Sequence, residues 1–100
     1  MSAVLFVRIK SALDFEELER RLQARKPGFL ETPGLLQKIY GRDPASGDIC
    51  GIYFFKNQQA LDAYRDTELA KSIPQAYEAT DERREVFDVL DSLRPDRGPV

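Results

Sequence analysis

The chain has 100 residues, 42% hydrophobic and 32% charged, with 15 Lys and Arg against 17 Asp and Glu for a net charge of −2. That balance describes one small globular domain, and neither a disordered tract nor a basic nucleic-acid binder. With no His and a single Cys, the sequence excludes His-ligated haem or zinc, an imidazole base, a Ser-His-Asp triad, an internal disulfide and any multi-Cys metal site.

Ala3 to Lys10 (AVLFVRIK) reads as a strand whose apolar residues fall at both parities, as in a strand covered on both faces. A helix start follows: Asp14 is the N-cap, Glu17 completes a capping box, and Leu13 staples onto Leu18. Phe15, Leu18, Leu22 and Arg25 recur at helical spacing, and Pro27-Gly28 predicts an end at about Arg25. Leu35 to Arg42 and Ile49 to Lys56 flank Asp43-Pro44-Ala45-Ser46-Gly47, where Pro44 sets a turn and Gly47 takes positive φ, giving a β-hairpin. Asn57 caps a second helix through about Asp66 with Ala60, Leu61 and Tyr64 inward, and Thr67 to Ile73 forms a short helix ended by Pro74. Glu78 to Glu85 (EATDERRE) reads as a solvated connection and Glu85 to Asp91 as the last strand. The expected domain is residues 1–93, with 94–100 a frayed tail. No apolar run approaches the roughly 20 residues of a membrane span. Met1 to Lys10 lacks a signal peptide's order, so a cytoplasmic protein is expected, consistent with one Cys.

The order β-α-β-β-α-β predicts an α+β, ferredoxin-like split fold: a four-stranded antiparallel sheet in order 4-1-3-2 with both helices on one face. Parity then assigns the bare face. Leu5, Val7 and Ile9, with Ile39, Ile52 and Phe54, are expected under the helices, and Cys50 there too as a small inert hydrophobe. Val4, Phe6, Arg8, Leu36, Lys38, Tyr40, Gly51, Tyr53, Phe55, Val86, Asp88 and Leu90 are then on the open face. So large an apolar patch needs a cover, and the simplest is a second copy, giving a homodimer through the sheet faces.

Pro33-Gly34-Leu35-Leu36-Gln37-Lys38-Ile39-Tyr40, Gly51-Ile52-Tyr53-Phe54-Phe55 and Val86-Phe87-Asp88-Val89 resemble the YdhR-type monooxygenases, which stand with the dimeric α/β-barrel proteins beside the antibiotic-biosynthesis monooxygenases. The resemblance spans roughly Gly28 to Leu93. It implies a homodimer with a small-molecule cavity between sheet and helices and no bound cofactor. Related haem-degrading members use His, Asn and Trp, and this chain has neither His nor Trp.

On that basis the expected function is cofactor-free monooxygenation of a small phenolic or quinone-like aromatic. Such an enzyme removes a proton from an electron-rich substrate, and the enolate or phenolate reacts directly with O₂ in a dry cavity. Asp88 is the candidate acceptor, with Arg8 or Lys38 opposite the oxyanion and Tyr40, Tyr53, Phe6 and Phe55 around the ring. Each has a plainer reading. Tyr40 and Tyr53 also suit cross-strand packing, and Arg8 and Lys38 suit snorkelling or an ion pair with Asp88, whose strand is expected to adjoin that of Arg8. A non-catalytic small-molecule sensor or carrier has the same cavity, and a cofactor-free isomerase or cyclase consumes substrate without oxygen. No metal, nucleic-acid or membrane partner is expected. An RNA recognition module has the same element order, but Asp48 opens the third strand where that module has a basic residue.

Overall fold

The computed structural model describes residues 2–97; Met1 and residues 98–100, the end of the expected tail, lie outside them. β1 (Ala3–Ser11) alternates strictly, with Ala3, Leu5, Val7 and Ile9 buried and Val4, Phe6 and Arg8 half-buried on the other face. It pairs antiparallel with β3 (Ile49–Phe55) on one side and β4 (Ala79–Asp88) on the other, and β2 (Leu35–Arg42) extends the sheet beyond β3. The order β2-β3-β1-β4 is the expected ferredoxin-like topology read from the opposite edge. Between β2 and β3 the chain reverses through Asp43–Asp48, with Gly47 at φ +82° as the turn demands.

α1 (Phe15–Leu30) starts as expected, the Asp14 side chain accepting a bond from the Glu17 N–H at 2.9 Å. It does not stop at Arg25. Pro27 sits inside the helix and removes one backbone donor, yet the next turn holds because Phe29 is buried and packs on Tyr53 and Tyr64. Arg25 ties this stretch down by donating to the Leu69 carbonyl at 2.9 Å and to Ser72 Oγ at 3.3 Å. α2 (Gln58–Arg65) is capped by Asn57 and buries Leu61 and Tyr64. α3 (Glu68–Lys71) and α4 (Ile73–Ala76) follow. Pro74 lies in the first turn of α4, where a missing N–H costs little, so it opens that helix and does not end its predecessor.

The last strand begins at Ala79, not Glu85, so the charged stretch expected to be a connection is the first half of β4. As a sheet edge, β4 tolerates charge on both faces: Arg84 pairs with Glu82 at 3.0 Å and Arg83 with Glu85 at 2.5 Å. A short 3₁₀ turn at Pro95–Arg97 ends the described chain.

The hairpin faces the opposite way from the expected parity. Leu5 stands opposite Tyr53, Val7 opposite Gly51, and Tyr53 opposite Lys38, so Lys38, Tyr40, Gly51, Tyr53 and Phe55 share the helix-covered face. Tyr53 is 1% exposed and Phe55 fully buried. Ile39, Ile52 and Phe54 lie on the open face instead, with Val4, Phe6 and Phe87. A bulge in β2 between Leu35 and Gln37 breaks the alternation that would have carried the face assignment along the strand. Cys50, opposite Arg8 and Gly41, is likewise on the open face and not under the helices. In β4, Val86 faces Leu5 and Asp88 faces Ala3, which puts both at the rim of the covered side.

Candidate functional site

α2 packs closely on β1 and β3, whereas α1 stands further off and leaves a groove along β2. Two clefts make up that groove and meet at Lys26 and Tyr40. One, of about 320 Å³, lies between Phe15, Leu18 and Leu22 of α1 and Gly41 and Arg42 of β2. The other, of about 380 Å³, lies between Phe29 and Leu30 and the β2 residues from Leu35 to Lys38. A smaller void of about 30 Å³ reaches inward from Tyr40 past Lys38 to Tyr53 and Tyr77.

Lys38 projects into this interior. Its Nζ lies 3.3 Å from the centre of the Phe29 ring and 4.4 Å from those of Tyr40 and Tyr53. Among the described residues no carboxylate pairs with it. Burial, with the positive charge of Arg25 adding, lowers its pKa to about 7, while the ring faces favour the charged form. The amine therefore holds or releases a proton near neutrality.

The glycine at 51 makes room for this side chain, since a Cβ there would sit 3.0 Å from the Tyr53 ring and 3.2 Å from Lys38 Cε.

All four tyrosines of the chain surround the same interior. The Tyr64 hydroxyl donates to Tyr53 Oη at 3.4 Å, with the rings 5.3 Å apart. Burial pushes the Tyr40 hydroxyl up to about 12 and raises Tyr53, Tyr64 and Tyr77 as well, so all four remain neutral donors at pH 7. The Arg25 guanidinium lies 5.7 Å from the Tyr77 ring and 5.8 Å from that of Phe29, and its buried Nε has no partner. The arrangement is a cationic, tyrosine-walled interior in which an amine can take up a proton and then face the resulting oxyanion.

Of the residues singled out from the sequence, Lys38, Tyr40 and Tyr53 come together here. Phe55 stacks parallel on Tyr53 at 6.3 Å, deeper in the core. Phe6 is on the opposite face. Arg8 is there too, held by the hairpin loop: it donates to Asp43 at 2.7 Å, Asp48 at 2.9 Å and Ser46 Oγ at 3.3 Å, and holds Asp43 down at about 2. Asp88 is exposed at the end of β4, while Arg8 stands opposite Arg83, so the expected Arg8–Asp88 pair does not form. Phe29, Arg25, Tyr64 and Tyr77 went unrecognised as site residues. Arg25 carried the available signal, a cation at an inward helical position beside Leu18 and Leu22.

The family described as "Putative mono-oxygenase ydhR" matches residues 4–95. No curated protein sequence matches the chain. Among solved structures, Rv0793 of Mycobacterium tuberculosis superposes with a TM-score of 0.74 at 15% identity, covering 93% of this chain and 99% of that one. SnoaB of Streptomyces nogalater, a cofactor-independent oxygenase, gives 0.75 at 13% identity, covering 92% and 96%. A putative antibiotic biosynthesis monooxygenase of Caulobacter crescentus gives 0.73 at 17% identity, covering 90% and 91%. At these identities the structural likenesses establish the fold. No helix among the described residues is long and apolar enough to cross a membrane.

Proposed function

The chain belongs to the ydhR mono-oxygenase family, and from that premise we propose that it is a cofactor-independent oxygenase whose substrate, a small hydroxylated aromatic, binds in the groove between α1 and β2. The observation that carries this reading is Lys38: an amine without a carboxylate partner, enclosed by three aromatic rings beside a cleft of substrate size. In its neutral form Nζ accepts the substrate's acidic proton, and as ammonium it stabilises the enolate or phenolate left behind. The electron-rich carbon of that anion bonds to O₂, and the ammonium returns its proton to the peroxide. The C–H bond of that carbon then breaks as the O–O bond cleaves, its electron pair forming the ring carbonyl and its proton leaving with the departing hydroxide as water, with every electron drawn from the substrate. Tyr40 lines the groove and donates towards the ring oxygen, and Tyr53 supports Lys38 from below. Asp88 and Arg8 take no part in this scheme, because they lie away from the groove.

The same reading has the open sheet face covered by a second copy of the chain, in a protein of the cytoplasm. Val4, Phe6, Ile39, Ile52, Phe54 and Phe87 form that face, with Ile39 49% and Phe87 52% exposed. Burying them is worth roughly 1.5–3 kcal/mol per large side chain, a sum comparable to the stability of a small domain.

Oxygen-electrode measurements with a panel of hydroxylated aromatics test the reaction. One O₂ should be consumed per substrate, and Lys38→Met should lower the rate by about 10²-fold or more while the variant still folds. Substrate loss without oxygen uptake would identify an isomerase or cyclase instead, and tight binding without turnover a carrier. Either result overturns the oxygenase reading.

A further inference from the structure

The charges lining the groove narrow the substrate class, given the reading of that groove as the substrate site. We propose that the substrate is an aromatic acid, whose carboxylate is held by Lys26 and Arg42 at the mouth of the groove while its hydroxylated ring reaches Lys38 inside. Lys26 stands where the two clefts meet and lines both of them, and Arg42 lines the first. Neither has a carboxylate within ion-pair distance among the described residues. Arg42 has its guanidinium carbon 4.3 Å from the centre of the Phe15 ring, which holds the fork at the cleft wall while leaving its donors free.

The imbalance is local. The whole chain carries two more acids than bases, yet the two clefts hold three basic side chains, Lys26, Lys38 and Arg42, against one acidic one, Glu19. Several cations outside the clefts are paired, Arg8 with Asp43 and Asp48, Arg21 with Glu17 and Glu78, and Arg84 with Glu82, whereas among the described residues Lys26, Lys38 and Arg42 are not. A neutral phenol leaves the groove's positive potential unanswered. An aromatic carboxylate answers it at the mouth, where a charge keeps part of its hydration, and still presents its hydroxyl to the buried amine. The division of labour also keeps Lys38 available for the proton, since an acid group seated directly on Nζ would hold it as ammonium.

Calorimetric titration of the protein with 3-hydroxybenzoate and with its neutral isostere 3-hydroxybenzamide tests this. The acid should bind at least about tenfold more tightly at low ionic strength, with the preference shrinking as salt is added. Lys26→Met combined with Arg42→Met should bring the two ligands to near-equal affinity without weakening the amide, and Lys26→Arg should restore part of the preference. Equal affinity of acid and amide for the unaltered protein overturns the proposal, as does a preference that survives the double substitution. Oxygen uptake measured with both ligands separates the two conclusions. An acid preference without uptake sinks the oxygenase reaction but not the ligand class, whereas equally fast turnover of the amide sinks the ligand class alone.

Discussion

The Lys38 amine sits among the rings of Phe29, Tyr40 and Tyr53, 3.3 to 4.4 Å from their centres. On a strand with apolar neighbours it reads as a snorkelling cation, a partner of Asp88 or a positive group opposite an oxyanion, and among the described residues no carboxylate pairs with it. Its pKa of about 7 when folded lies below the ordinary 10.5, so the unfolded chain binds the extra proton between those values. Stability from this group accordingly rises as pH climbs from 7 towards 10.5, and the full cost of its burial is felt below 7. Lys38→Met should therefore be more stable than the parent by about 1–3 kcal/mol at pH 7, after allowing for the ring faces that offset desolvation. That advantage should disappear near pH 10.5. Urea titrations at a series of pH values measure it, and an advantage that stays constant with pH would show that the amine is not held in a desolvated state. A stability gain accompanied by a loss of turnover is the trade expected of a functional group placed where the fold alone would not put it.

At the level of elements, the helix starts and the hairpin were legible because local chemistry sets them. Asp14, Asn57 and Thr67 each cap the helix they precede, and Pro44 and Gly47 frame the turn. The facing of the hairpin was not legible. Ile49 to Phe55 is apolar at almost every position, so no alternation distinguishes its two sides, and the bulge at Leu36 removes the check that β2 could have provided. The start of β4 was hidden for the opposite reason, since its first half is charged on both faces. Arg8 then looked free for Asp88, when its partners lie in the hairpin loop. Gly34, just before β2, is a position where an element boundary depends on one residue. It has φ +77°, and a Cβ there would fall 2.5 Å from that of Ala60 on α2. Gly34→Ala should cost about 2–4 kcal/mol through backbone strain plus this overlap. Gly47→Ala, at φ +82° but with open space around it, should cost only about 1 kcal/mol. Chemical denaturation of the two variants compares them directly, and equal costs would mean that β2 does not pack this tightly against α2.

For the whole molecule, the sheet divides two tasks. One face closes over the tyrosine-lined interior and the other presents Val4, Phe6, Ile39, Ile52, Phe54 and Phe87. Tyr40, Tyr53 and Phe55, expected near a dimer interface, belong to the covered side, so Phe55→Asp should unfold the domain. Phe54→Asp is the substitution that tests assembly. Light scattering should give the unaltered protein twice its 11.4 kDa, Phe54→Asp a folded monomer or aggregate, and Arg20→Asp, on the outer side of α1, no change. A stable, well-folded monomer of the unaltered chain at micromolar concentration would show that nothing covers the open face.

This separation also has an optical consequence. The chain has no Trp, so its near-ultraviolet fluorescence comes from four tyrosines, and every one of them lies on the groove side of the sheet. The aromatics across the sheet, Phe6, Phe54 and Phe87, are all phenylalanine. Filling of the groove by an aromatic quencher should thus darken the whole emission, whereas association through the other face should leave it almost unaltered. The molecule carries a native fluorophore set that reports on one event and is blind to the other.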